Sequence, residues 1–231
     1  METTDILPAI VQEPPGEAQA AVIWMHGLGA SGHDFAGVPP ELGLPRDLQV
    51  RYVFPHAPRI PVTINMGLIM PAWYDVASLD ARGQDERGIR RSEAMIRALI
   101  ERETERGVPA EKIVLAGFSQ GGAMALHTGL RYPERLAGIM VLSAYLVLHD
   151  KLAGERSEAN LEVPIFQAHG RFDPMIPIAA AERSRDYLQS LGYDVEWHEY
   201  PMEHAVCLEE IQAIGRWLTR VLADDVAGGG C

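Results

Sequence analysis

Short runs of consecutive apolar residues alternate along the chain with longer stretches in which apolar residues recur every three or four positions. The short runs at 20–25, 49–54, 113–117, 138–143, 163–168 and 193–200 predict buried strands, and 6–11 predicts an edge strand. The longer stretches predict surface helices. Residues 86–106 carry Ile89, Met95, Ile96, Leu99 and Ile100 with charge between them, and Gly107 and Pro109 stop the pattern. Residues 121–132, 179–191 and 208–222 read the same way, each after a strand and a short loop. This alternation predicts an α/β protein, a mainly parallel sheet with helices on both faces. The longest apolar run, 139–148, is about half the roughly 20 residues of a bilayer-crossing helix and reads as a buried strand. No integral membrane segment is therefore expected.

Composition narrows the class. Apolar residues make up 47% and charged residues 23% of the 231, both near the globular average, which argues against disorder. The 22 glycines and 16 prolines fall short of the roughly 25–30% of low-complexity chains. The length predicts one compact domain, 1–224, followed by a glycine-rich tail, 225–231, with nothing to pack. A net charge of −12 repels phosphate backbones, so nucleic acid is not an expected partner. The first five residues carry acid where a secretory signal carries base, and Cys207 and Cys231 form neither a disulfide framework nor a zinc pattern. Both features predict a cytoplasmic protein.

Two glycine motifs compete for the chemistry. Gly27-Leu28-Gly29-Ala30-Ser31-Gly32 matches the G-x-G-x-x-G of dinucleotide-binding loops, and Asp47 stands 20 residues on. That acid, however, precedes the second strand instead of ending it, and Pro39-Pro40 interrupts the required crossover helix. Gly117-Phe118-Ser119-Gln120-Gly121 matches G-x-S-x-G, between a buried strand and a helix start. Small residues two positions either side let the chain turn sharply, exposing the serine hydroxyl above the sheet beside the free N–H groups of the helix N-terminus.

A neutral serine needs a histidine base and an acid that orients it, and on α/β-hydrolase sheets they follow the serine in the order acid, then histidine. His127 lies in the elbow helix, and His149 and His169 leave too little chain for an acid before them. His198 lies inside a strand, whereas His204 follows the last strand, at the sheet end where such sites form, and is favoured. Asp173, in the loop leaving strand 163–168, is better placed than Asp150, Asp186 or Asp194, although an Asp-Pro turn is its simpler reading. The first glycine motif then supplies one oxyanion donor, the backbone N–H of Leu28, with that of Gln120 as the second. On that basis the Gln120 side chain is expected to be dispensable. His26 and His33 lack the spacing of a metal pair, and no metal is expected.

The sequence resembles the small carboxylesterases and acyl-protein thioesterases of the α/β-hydrolase fold. The resemblance rests on His26-Gly27-Leu28-Gly29 with Gly32-His33-Asp34-Phe35, on Gly117-Phe118-Ser119-Gln120-Gly121-Gly122, on His169-Gly170 with Asp173 and Ile176-Pro177, and on the late His204. Pro61-Val62-Thr63-Ile64-Asn65 and Trp73-Tyr74-Asp75 look like the bacterial carboxylesterase branch. It implies a cofactor-free cytoplasmic serine esterase without a large cap domain, often a homodimer, acting on a small-molecule ester or thioester. Two positions depart from the family pattern: Ala30 replaces an Asp, and Glu203 replaces a Gly before the histidine.

The expected activity is hydrolysis of carboxylic esters of short-to-medium acyl chains, with acyl-protein thioesterase or lysophospholipase activity as the alternative. A non-catalytic binding module on the same fold is the rival of another class. Residues 60–73 carry no charge and neither periodicity. Ile64, Met66, Leu68, Ile69, Met70 and Trp73 are read there as one wall of an acyl pocket, with a core-packed loop or a subunit interface as the alternative.

Overall fold

The computed structural model describes residues 6–78 and 84–223; the acidic start and the tail 225–231 lie outside the described residues. Seven strands, β1 (Ala9–Gln12), β2 (Ala20–Met25), β3 (Val50–Pro55), β6 (Ile113–Phe118), β7 (Gly138–Leu142), β8 (Ile165–Gly170) and β9 (Val195–Tyr200), form one sheet in the order β1-β3-β2-β6-β7-β8-β9. Only the edge strand β1 is antiparallel to its neighbour. A separate antiparallel hairpin consists of β4 (Arg59–Val62) and β5 (Leu68–Pro71).

Alternate residues of each central strand supply two cores. Ala21, Ile23 and Met25 of β2 face one side with Ile113 and Leu115 of β6 and Ile139 and Val141 of β7. The helices α2 (Glu86–Glu105), α3 (Gln120–Gly129), α4 (His149–Glu155) and α5 (Ile178–Ser190) contribute apolar side chains to that side. Ala20, Val22 and Trp24 face the other, packed with Phe35 of α1 (His33–Ala36) and Ile214, Trp217 and Leu218 of α6 (Leu208–Leu222). A strand buried on both faces reads as a continuous apolar run because both sets of its side chains leave water. Among the described residues no helix is long and apolar enough to cross a membrane, and no segment forms a large cap over the sheet.

The chain steps from β2 outward to β3 and then returns to place β6 on the other side of β2. This reversal opens a crevice at the carboxyl ends of β2 and β6, where Met25 and Gly117 are in register. The loops that follow these two strands carry the two glycine motifs.

Two segments differ from their sequence pattern. The apolar run 139–148 does not continue as a strand: β7 ends at Leu142, Ser143 turns the chain at φ 50°, and α4 begins at His149. Residues 60–71 lie in the hairpin, whose periodicity is broken because it stands off the main sheet, with Met66 at its turn in the left-handed region.

Glu210 is an anomaly in an otherwise apolar interface. It is the third residue of α6, where a glutamate can reach back to the N–H of the capping residue, here Cys207. Its side chain is fully buried, and neither oxygen has a well-formed hydrogen bond, the Cys207 N–H being the one donor directed at it. Burial pushes its carboxyl from an ordinary 4.5 up to about 8, against a weaker pull from the Cys207 N–H. The folded chain thus favours the protonated acid, so stability is fullest below the ordinary value and is lost as the pH climbs toward that raised value. Glu210→Gln is expected to raise the Tm at about pH 8 and leave it nearly unchanged at about pH 5. Thermal unfolding at the two pH values measures this, and an equal shift at both would exclude titration as the cause.

Candidate active site

Ser119 links β6 to α3 at φ 54° and ψ −121°. A non-glycine residue is strained there, and the packing around it shows why the flanking glycines are needed. A Cβ on Gly117 would lie 2.2 Å from the Gly121 carbonyl carbon, and one on Gly121 would lie 2.4 Å from the Met25 carbonyl oxygen. The strand, the helix and the β2 loop therefore meet backbone to backbone. The Ser119 N–H donates to Leu142 O of β7 at 2.8 Å, which holds the turn in place.

The Ser119 hydroxyl lies 2.9 Å from His204 Nε2, and His204 Nδ1 lies 2.6 Å from Asp173 Oδ2. An ionised carboxylate only accepts, so Nδ1 carries the proton and Nε2 presents its lone pair to the hydroxyl. Asp173 is buried, and its Oδ1 accepts the N–H groups of Met175 and Ile176 at 2.8 Å each. Its loop is joined to the turn carrying His204, because Arg171 N–H donates to Tyr200 O and Phe172 N–H to Met202 O. Gly170 allows that contact: a Cβ there would lie 2.3 Å from Glu203 O. The Glu203 side chain itself is exposed.

His169 is buried beside this pair, its Nε2 3.4 Å from Asp173 Oδ2 and donating to Ile176 O at 2.8 Å. Burial lowers its pKa, outweighing the pull of the Ile176 carbonyl and Asp173, so the neutral ring is favoured and the Asp173 charge remains directed at His204. His198, the rival base, stacks on Phe166 and bonds Glu196 at 2.9 Å, on the outer strand β9.

The β2 loop is held from within. Ala57 N–H donates to His26 Nε2 at 3.0 Å, so Nδ1 must carry the proton, which goes to Gly27 O at 2.7 Å. Burial lowers the pKa of His26 as well, which suits this neutral arrangement. A trans peptide then directs the Leu28 N–H opposite to the held Gly27 carbonyl. The Gln120 N–H is the first of α3, among those a helix leaves without internal partners. Gly27, Leu28, Ser119, Gln120 and His204 line one cleft of about 500 Å³.

The acyl-wall expectation divides. Ile64 and Met70 line the cleft. Met66, Leu68 and Ile69 do not: they are 98%, 62% and 58% exposed on the hairpin. Trp73 is wholly buried behind the cleft. Tyr74, Val76, Tyr145, Met175 and Ile176 also line it and were not legible as such. Tyr145 belongs to the apolar run that reads as a strand, while Met175 and Ile176 could have been inferred from their place beside Asp173. The Gln120 side chain, expected to be idle, is buried and bonded at both ends: Oε1 accepts Trp73 N–H at 2.8 Å, and Nε2 donates to Tyr74 O at 2.7 Å. Among the described residues no cluster of three or more His, Cys, Asp or Glu could hold a metal.

Comparison with known proteins agrees with the fold. The sequence model of the phospholipase/carboxylesterase family matches residues 8–222. Acyl-protein thioesterase 1 of Neurospora crassa is 42% identical over 227 residues, covering 94% of this chain and 91% of that protein. The crystal structure of Arabidopsis thaliana SOBER1 superposes with a TM-score of 0.84 at 30% identity, over 89% of this chain and 100% of that one. Zea mays acyl-protein thioesterase 2 gives a TM-score of 0.81 at 28% identity, over 94% and 99%. With a family match from the first strand to the last helix and an α/β-hydrolase sheet beneath it, the chain belongs to the phospholipase/carboxylesterase family of ester and thioester hydrolases.

Proposed function

We propose that the protein cleaves acyl thioesters and carboxylic esters of short-to-medium chain length through an acyl-enzyme on Ser119. The observation that carries this reading is the unbroken line from Asp173 through His204 to the Ser119 hydroxyl, opening into the cleft. In the proposed reaction Ser119 Oγ attacks the acyl carbonyl carbon as His204 Nε2 takes its proton. The carbonyl oxygen becomes an oxyanion and accepts the N–H groups of Leu28 and Gln120. Collapse expels the thiol or alcohol with the proton from His204, and water, deprotonated in turn by His204, releases the acid from Ser119. Asp173 accepts the hydrogen bond from Nδ1–H of His204 throughout and stabilises the imidazolium.

Thioesters are included because the acyl-protein thioesterase of Neurospora crassa is 42% identical to this chain. A thiolate is also a better leaving group than an alkoxide, so the same residues serve both substrates. This chemistry needs no cofactor, and the cytoplasmic setting read from the sequence, with Cys207 as a free thiol, belongs to the same proposal. Comparing kcat/KM for S-acyl and O-acyl peptides of one chain length decides which bond is preferred.

Ser119→Ala and His204→Ala are each expected to lower turnover by about 10⁴-fold or more, with the double variant little worse, since the residues act as one unit. A fluorophosphonate should label the native protein at Ser119 and leave Ser119→Ala unlabelled. Strictly additive losses would remove the triad assignment, and an unlabelled native protein would favour the binding-module reading.

Chain-length preference tests the cleft. Each methylene buried there contributes about 0.8 kcal/mol, so kcat/KM should rise at most about fourfold per added carbon until the cleft is full. Ile64→Ala with Met70→Ala is expected to flatten that rise and spare acetate esters. Replacing Met66, Leu68 and Ile69 with Ala should leave it unchanged. If the second set flattens it, the exposed hairpin side chains reach the acyl chain after all; if it lowers the sedimentation coefficient, the hairpin is a subunit interface.

A further inference from the structure

The two donors assigned to the oxyanion lie on different segments, one in the loop after β2 and one at the start of α3. Their separation decides whether both can reach one oxygen atom. Residues 71–74, which run on from the end of β5, bridge the two segments. On the side of the β2 loop, Gly29 N–H donates to Pro71 O at 2.8 Å, and the Trp73 indole N–H donates to His26 O at 2.9 Å. These contacts bracket Leu28 from both sides. On the side of α3, the Gln120 amide accepts Trp73 N–H and donates to Tyr74 O. The whole segment is tied to α2, where the buried Ser92 hydroxyl donates to Trp73 O.

We propose that residues 71–74 are a strut that sets the distance between the two oxyanion donors, and that the Gln120 side chain and Trp73 are its positioning residues. The proposal rests on the reading of Leu28 and Gln120 N–H groups as the oxyanion site. Glutamine suits the position because the strut offers one donor and one acceptor side by side, and an amide meets both at one reach. The partners also fix which end is which, since Trp73 N–H can only donate and Tyr74 O can only accept. A carboxylate would turn a lone pair toward Tyr74 O, and a thioether would leave both buried groups unpaired. Because the donor N–H and the clamping amide belong to the same residue, a change at the side chain is transmitted to the backbone donor over very few bonds. A displacement of about 1 Å at such a site costs on the order of 100-fold in rate, with little change in substrate affinity.

The test uses the full chain, with rates referred to the serine titrated by saturating fluorophosphonate, so that misfolded protein is not counted. Gln120→Met keeps the bulk and removes both bonds; Trp73→Phe removes the indole N–H. Each is expected to lower kcat by about 10- to 100-fold with KM within about twofold. Affinity for an alkyl trifluoromethyl ketone, whose tetrahedral adduct uses both donors, should fall by the same factor, while affinity for the fatty-acid product holds. Gln120→Glu supplies a second readout. A protonated acid can donate to Tyr74 O and accept from Trp73 N–H, so its kcat relative to native should climb as the pH falls from about 9 to about 6. Two results would overturn the strut: a Gln120→Met kcat per titrated site within about threefold of native, or an unchanged ketone affinity beside a lowered Tm. A flat pH ratio for Gln120→Glu would do the same. A native protein that fluorophosphonate does not label would instead remove the serine-hydrolase reading beneath it.

Discussion

Ser119 is held at φ 54° on a non-glycine backbone, a conformation that costs on the order of 1–3 kcal/mol and persists only where the surroundings leave no alternative. Here β6 and α3 meet with no room for a Cβ on Gly117 or Gly121, and Leu142 O of the neighbouring strand takes the Ser119 N–H. Everything else in the site is arranged around that fixed hydroxyl. The reversal of strand order beside β6 supplies the crevice, and the loops leaving β2, β8 and β9 supply the groups that face it.

The polar groups in these loops are satisfied in ways that assign their protons. Asp173 takes two backbone N–H groups on one oxygen and His204 on the other, so its charge is compensated although it is buried. His169 and His26 are driven toward the neutral form by burial, and each spends its single N–H on a backbone carbonyl, Ile176 O and Gly27 O. Three imidazoles thus serve in two capacities within one site. Two rings brace loops, and His204, 18% exposed, alone has its second nitrogen against the serine.

The hairpin joins the exposed rim to this interior. At its turn end Asp75 accepts both Thr63 donors, N–H at 2.7 Å and hydroxyl at 2.5 Å. Burial opposes ionisation of Asp75, but these bonds outweigh it and hold the carboxyl below its ordinary value. Ile64 and Met70 turn into the cleft, Met66, Leu68 and Ile69 turn to water, and β5 runs on into residues buried behind Ser119. One short segment therefore has an exposed apolar face, a cleft-facing side and a buried end.

The sequence by itself determined the features whose causes are local. Strands buried on both faces leave continuous apolar runs, the α2 stripe repeats every three or four residues, and the turn at Ser119 must be flanked by small residues, so the class of fold and the elbow were legible. His204 and Asp173 could be picked out because chain order and strand ends constrain them, although only their loops' mutual hydrogen bonds bring them within 2.6 Å. The tertiary structure decided what depends on partners far along the chain. Periodicity could not show that 139–148 turns at Ser143 and carries Tyr145 into the cleft, because the turn is made by packing against neighbouring strands. Nor could it show that Ile64 and Met70 face inward while Leu68 and Ile69 face out, since a hairpin off the main sheet has no core to impose an alternation. The bonds from Gln120 to Trp73 and Tyr74 join residues 47 and 46 positions apart, and no local pattern encodes a contact that exists only once both segments have reached the same side of the sheet.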